Sequence, residues 1–321
     1  MGYEDLEKIE GNIINIQHFS YQDGPGVRTT VFLKGCSLKC KWCSNPESIC
    51  KQSEIAFDAK ECIGIDKCGR CLQEPFPEGA FYENPSTGKA AIFWEKKKDI
   101  DVKLAKLCPC KAIFTYGKLV SVKDVIEEVD QDVSFYTLNH GGITVSGGEP
   151  LLQPQFVSAL LQTAHSHGYS TAIETAMNVP WDNIEIVFSH VDTIIHDIKM
   201  IDSKEHEYWT NVNNTTILKN IEKAYKTYPH KKFIVRTPII PGVNDREEVI
   251  DEIIDFILPY PNVIKYELLP YHRLGLGKYE VVGKEYELTD LESLSENRIK
   301  QLREHVAIRF GNRDIKADSG E

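Results

Sequence analysis

The chain has 321 residues, 41% of them hydrophobic, enough for one large domain of the α/β barrel type with a filled core and a small accessory module. Its formal charge of −11 excludes a general nucleic-acid binder, because phosphate neutralisation needs an excess of Lys and Arg on the binding face. No run is as long and apolar as a membrane span, and Met1 to Glu10 is acidic rather than basic and then apolar, so a cytoplasmic protein is expected.

Gly11 to Ser20 reads as a strand and Arg28 to Gly35 as a second, with the turn-forming Asp23-Gly24-Pro25-Gly26 between them. Directly after the second strand comes Cys36-Ser37-Leu38-Lys39-Cys40-Lys41-Trp42-Cys43, a C-x3-C-x2-C loop. The chain has nine cysteines, and an odd number clustered at short spacings fits metal ligation better than a secreted disulfide framework or scattered buried thiols. A four-iron cluster ordinarily takes four thiolates, so three on one loop leave one iron open to a substrate. A closed zinc site is the alternative, with Cys50 as a candidate fourth ligand.

From Ser53 to about Lys118 the chain carries five cysteines, scattered Gly and Pro, the charge run Glu95-Lys96-Lys97-Lys98 and little periodicity, which marks an inserted small module. From Ser121 strands and helices alternate. Helices are predicted at Ser121 to Asp130, Gln155 to His167, Thr216 to Tyr228, after a capping box formed by Asn244 and Glu247, and near Ser295 to His305. Strands are predicted at Ile143 to Ser146, Thr171 to Glu174, Thr193 to Ile198, Phe233 to Pro238 and Ile264 to Leu269. Such alternation implies a parallel sheet with right-handed crossovers, closed or partly closed, whose ligand site lies at the C-terminal ends of the strands.

Three further constellations sit at those strand ends. Gly147-Gly148-Glu149-Pro150 lets the backbone approach a ligand closely, although Gly-Gly and Pro also make simple turns. Asp197 and Lys199 alternate onto one side of a strand that should be central, where a surface pair is the plain alternative. Arg236 is a buried-looking cation that needs an acidic partner, and His272 follows the last strand.

The C-x3-C-x2-C loop resembles the cluster motif of the radical S-adenosylmethionine superfamily, with Trp42 at the aromatic position against the cluster. Asp23-Gly24-Pro25-Gly26-Val27-Arg28-Thr29 before the loop and Ser44-Asn45-Pro46-Glu47 after it resemble the activating enzymes of glycyl radical enzymes. The long insertion is similar to that of their subgroup with a ferredoxin-like module. The resemblance implies an α/β fold: a partial (β/α)6 radical SAM barrel with an inserted small ferredoxin-like iron–sulfur module. Residues 1–52 would start the barrel, 53–118 form the insertion, and 119–321 complete the barrel and its C-terminal helix.

By this resemblance, Cys36, Cys40 and Cys43 hold the catalytic 4Fe–4S cluster and Gly147, Gly148 and Glu149 meet the methionine ammonium of S-adenosylmethionine. Lys199 contacts its carboxylate, while Asp197, Glu174 and Thr175 border a monovalent cation. The family often has Asp where this chain has Glu174. His272 and Arg236 lie near the nucleoside. In a two-cluster ferredoxin the fourth cysteine of each run ligates the other run's cluster. Here the surviving cysteines, Cys62, Cys68, Cys71 and Cys108, are those of one cluster, with Cys110 as an alternative to Cys108, Cys50 left as a free thiol, and zinc in the same four thiolates as the competing occupant. The implied function is reductive cleavage of S-adenosylmethionine to a radical that abstracts hydrogen from a glycine of a cognate glycyl radical enzyme. A flavodoxin or ferredoxin would supply the electron, and a monomer in an anaerobic cytoplasm is expected. A radical SAM enzyme acting on a small molecule and a zinc-binding interaction protein are the other readings.

Overall fold

The computed structural model describes residues 3–310. Its strands are β1 (Glu10–Ser20), β2 (Arg28–Leu33), β3 (Glu54–Phe57), β4 (Phe81–Asn84), β5 (Lys89–Ile92), β6 (Ile113–Tyr116), β7 (Lys118–Ser121), β8 (Gly142–Gly147), β9 (Ser170–Thr175), β10 (Thr193–Asp197), β11 (Lys232–Ile239) and β12 (Val263–Pro270). Eight of them form one sheet in the order β12-β11-β10-β9-β8-β2-β1-β7. From β2 to β12 every neighbouring pair is parallel, which accounts for the six barrel strands. β1 and β7 extend the sheet beyond β2 as antiparallel strands. Among the described residues β12 and β7 are the two ends of this sheet, so the barrel is partial.

Helices Pro154–Ser166, Trp181–Phe188, Thr215–Thr227 and Glu247–Ile257 cover the outside, and the outward residues of the strands, such as Ile173, Ile194 and Val235, join their apolar faces in one core. β10 shows how alternation sorts the two faces. His196 points out to Tyr225 of the helix Thr215–Thr227, Nε2 to hydroxyl 2.8 Å, while Asp197 points to the barrel interior beside Lys199. Arg28, at the start of β2, is 1% exposed and binds the starts of β8 and β9: Nε donates to Thr144 Oγ1 at 3.0 Å, Nη1 to Ser170 Oγ at 2.5 Å and Nη2 to the Ser170 carbonyl at 3.1 Å. Burial lowers its pKa to about 10, which leaves it charged at neutral pH.

The insertion has its own strands and core. β3 pairs antiparallel with β6, β4 with β5, and Ile55, Phe57, Phe76, Phe81, Ile92, Ile100 and Ile113 are buried together. Strands of four residues are too short to show a period, which is why the sequence suggested none here. The helix Trp181–Phe188 was missed for a related reason: its N-cap is Pro180, with no side-chain cap to announce it.

The capping box expected from Asn244 and Glu247 does not form. The helix Glu247–Ile257 starts after Arg246 without a side-chain cap, and Asn244 is fully buried instead. Its Oδ1 accepts from Ile240 N at 2.7 Å, and its Nδ2 donates to the carbonyls of Pro238 at 2.8 Å and Lys199 at 2.9 Å. An amide that satisfies three buried backbone groups is worth more there than as a cap. Asn244→Ala should cost about 2 kcal/mol through the backbone groups left unpaired, read as a lower thermal midpoint; an unchanged midpoint would show that water replaces the amide without loss.

Candidate active site

β2 delivers the chain to Gly35, whose φ of +99° turns it into the cysteine loop. The loop hangs on backbone hydrogen bonds: Gly35 N to Ser48 O at 2.6 Å, Cys36 N to Ile49 O at 3.2 Å, Lys39 N to Thr210 O at 2.9 Å and Lys41 N to Trp209 O at 3.0 Å. Trp42 is buried with Met200, Ile240 and Tyr271 and lies 6.1 Å from the ring of Trp209. Burial pushes the thiols of Cys36 and Cys40 up to about 12 and raises that of Cys43, while Lys199 pulls all three the other way. Bare thiolates are therefore disfavoured here, and cations bonded to the sulfurs would relieve the cost.

β8 ends against the same loop. A Cβ on Gly147, at φ +114°, would lie 2.3 Å from Leu33 N, and one on Gly148 would lie 2.2 Å from the Gly35 carbonyl. Only glycine lets the two backbones touch, with Gly148 N donating to Leu33 O at 2.9 Å and Glu149 N to Gly35 O at 2.7 Å. The Glu149 carboxylate is engaged with the protein itself. It is fully buried and accepts from Leu151 N at 3.1 Å, Ala176 N at 3.0 Å and Thr175 Oγ1 at 2.7 Å, and burial raises its pKa to about 7. It ties the end of β9 to the end of β8, and the backbone of Gly147 to Glu149 is what borders the loop. Thr175 is likewise spent, since its hydroxyl also accepts from Met177 N at 2.9 Å.

Among the described residues Lys199 is the one cation that acts on all three thiols. It is 7% exposed and pairs with Asp197 at 2.7 Å. Burial works against its charge, yet Asp197 and the thiols of Cys40 and Cys36 hold its pKa above the ordinary lysine value. Arg236 has the acidic partners its position demands: it contacts Glu174, binds Glu267 through Nε at 2.7 Å, and donates to the Gln22 carbonyl. Glu174 also accepts from Ser146 Oγ at 2.5 Å. Cys36, Cys40, Cys43, Lys199, Asp197 and the Gly147–Gly148 backbone thus come together, with the Glu174–Arg236 pair deeper in the same interior. His272 is exposed just beyond β12, next to Tyr271, which packs with Trp42.

The insertion's Cys62, Cys68, Cys71, Cys108 and Cys110 all line one small cavity, whose other walls include Phe57, Ile65 and Phe76 and whose single charged side chain is Arg70. The sulfurs of Cys108 and Cys110 are 3.6 Å apart, and Ala90 N donates to Cys62 Sγ at 3.3 Å. Among the described residues no three His, Cys, Asp or Glu side chains converge as ligands of a single ion would. Thiols spread around an apolar cavity suit a larger inorganic unit. In the cysteine loop the hydroxyl of Ser37 is buried without a partner in the protein, a donor left over for a bound group, and the loop's sequence carries no signal of that.

Residues 106–257 match the model of the Radical SAM superfamily, and residues 22–72 that of a 4Fe-4S single cluster domain. The chain is 44% identical to the isethionate sulfite-lyase activating enzyme of Desulfovibrio desulfuricans, over 87% of this chain and 88% of that one. It is 40% identical to the (2S)-3-sulfopropanediol dehydratase activating enzyme of Klebsiella oxytoca, over 88% of each chain. The 4-hydroxyphenylacetate decarboxylase activating enzyme of Clostridioides difficile shares 36% identity over 93% of each. The chain belongs to the activating enzymes of glycyl radical enzymes within the radical SAM superfamily, and it is an enzyme that works with 4Fe–4S clusters and S-adenosylmethionine on a partner protein.

Proposed function

We propose that Cys36, Cys40 and Cys43 hold the cluster that cleaves S-adenosylmethionine, and that Lys199 receives the methionine carboxylate while the Gly147–Glu149 backbone receives the ammonium group. The observation that carries this reading is a buried ammonium within electrostatic reach of three thiols on one loop. When bound, the cluster supplies the electron that breaks the sulfonium–C5′ bond, giving methionine and a 5′-deoxyadenosyl radical that takes a hydrogen from a glycine of the partner. The protein's residues position and exclude. Trp42 packs behind the loop and keeps water from it. Asp197 holds the Lys199 ammonium at 2.7 Å, so that its charge is aimed before the substrate arrives. Asp197, Glu174 and the backbone of Thr175 offer oxygens to a monovalent cation, and Arg236 and His272 border the nucleoside.

Residues 53–118 serve as the accessory unit, with one auxiliary 4Fe–4S cluster on Cys62, Cys68, Cys71 and Cys108, and residues 1–52 and 119–321 as the barrel. Cys108 is favoured over Cys110 because its thiol interacts with that of Cys71, as those of Cys62 and Cys68 do. The electron comes from a flavodoxin or ferredoxin, and the chain works as a monomer in an anaerobic cytoplasm, since a glycyl radical does not survive oxygen. None of its described helices is long and apolar enough to cross a membrane. The 44% identity to an isethionate sulfite-lyase activating enzyme favours a carbon–sulfur lyase as the cognate partner.

Lys199→Ala should weaken S-adenosylmethionine binding by about 1.5–3 kcal/mol, the size of a lost charge-assisted hydrogen bond, with iron content unchanged; an unaltered dissociation constant would reduce the Asp197–Lys199 pair to a structural one. Anaerobically reconstituted protein should carry about eight irons per chain, falling to about four when Cys62 and Cys68 are replaced by Ala, whereas about four irons and one zinc in the unmodified chain would put zinc in the insertion. Mixed with an isethionate sulfite-lyase under reducing conditions, the chain should generate a protein radical whose EPR signal is split by one α-hydrogen. Deoxyadenosine without that doublet would count against this partner.

A further inference from the structure

The stretch Gly275–Lys284, which contains the helix Leu276–Val282, touches the exit of the cysteine loop on one side and the insertion on the other. On the loop side, Tyr279 donates its hydroxyl to the Cys43 carbonyl at 2.9 Å. Lys278 Nζ reaches Asn45 Oδ1 and Glu47 Oε1, both at 2.7 Å, and Lys284 Nζ donates to the Pro46 carbonyl at 2.7 Å. A Cβ on Gly275 would lie 2.6 Å from the Ser44 carbonyl, so the two backbones are in contact. Every residue from Cys43 to Glu47 is therefore held by this stretch.

On the insertion side, Lys97 Nζ donates to the Val282 carbonyl at 3.0 Å and pairs with Glu54 at 2.7 Å. The Trp94 indole fills the space over Gly283, where a Cβ would come within 2.1 Å of the ring. Glu54 continues the path: its other oxygen binds Lys34 at 2.8 Å, and the same ammonium, wholly buried, donates to the Glu47 carbonyl at 2.6 Å. Three insertion residues thus end, by two routes, on the segment that follows Cys43.

We propose that Glu54, Trp94 and Lys97 of the insertion are positioning residues for Cys43, acting through Gly275–Lys284, so that the insertion sets the reduction potential of a catalytic cluster to which it gives no ligand. The potential of such a cluster depends on its charge surroundings, hydrogen bonding and exposure, and a cysteine moved relative to Lys199 and the Gly147–Gly148 backbone changes all three. Within the loop Cys43 N donates to the Cys40 carbonyl at 3.0 Å, while its own carbonyl is taken by Tyr279 and the residues after it by Lys278 and Lys284.

This inference rests on Cys36, Cys40 and Cys43 holding the catalytic cluster. The test uses the full, iron-loaded chain and two variants, Tyr279→Phe and Lys97→Met, in an EPR-monitored potentiometric titration. The catalytic cluster is identified as the one whose signal changes when S-adenosylmethionine is added. Both variants should keep the iron content of the parent and shift the potential of that cluster, and the double variant should shift it less than the two single shifts combined, because they act along one path. Tyr279→Phe should leave the other cluster unmoved. Should Lys97→Met fail to fold, Trp94→Phe is read in its place, with the same expectation. An unchanged catalytic potential in either variant overturns the proposal. A parent chain with no signal that responds to S-adenosylmethionine would instead remove the ligand assignment, and the positioning role with it.

Discussion

Three half-buried thiols lie within electrostatic reach of one buried ammonium, and the pairing of that ammonium with Asp197 makes the interior workable. The cost of burying any one of these groups in isolation is several kcal/mol, and the structure meets it by compensation rather than by exposure. Asp197 steadies Lys199, Lys199 favours the thiolates, and the thiolates in turn favour the charged lysine. The same logic runs deeper in the barrel, where Arg236 is shared by Glu174 and Glu267, and Lys265 binds Glu267 at 2.7 Å. A barrel filled with apolar side chains would be more easily stabilised. This one keeps an interior of matched ions.

The backbone contributes as much as the side chains. Gly35, Gly147 and Gly148 bring β2, β8 and the cysteine loop into direct contact, and the buried side chains of Glu149 and Asn244 hold neighbouring backbone still. Asn244 fixes the carbonyl of Lys199, and Glu149 fixes the first residue after β9. Preorganisation of this kind is what lets a fixed set of groups act on a reactive bond without first rearranging.

Much of this was legible in the sequence. Periodicity located the six parallel strands and most of their helices, and the spacing of Cys36, Cys40 and Cys43 located the site, because both signals are local. The Asp197–Lys199 pair was also readable, since alternation alone puts the two on one face. What the sequence concealed is the destination of polar side chains whose partners are distant along the chain. Asn244 looked like a helix cap, because an Asn three residues before a Glu ordinarily plays that part. It was claimed instead by buried backbone groups that only the assembled sheet creates. The short strands of the insertion and the contacts of Tyr279 and Lys278 with the cysteine loop were invisible for the same reason.

The insertion lies between β2 and β8, which are immediate neighbours in the sheet. An open loop of that length would make their pairing a slow, long-range event, even though each doubling of loop length costs only about 0.6 kcal/mol at equilibrium. The antiparallel pairing of β3 with β6 changes the search. It sets Glu54 opposite Tyr116, so once the insertion has ordered, its two ends leave side by side and the chain between β2 and β8 is in effect shorter by the length of the insertion. Closure of the small unit around its own core of Ile55, Phe57, Phe81, Ile92 and Ile113 then gives this stretch of the chain a folding nucleus separate from that of the barrel, and the sheet is relieved of searching through it.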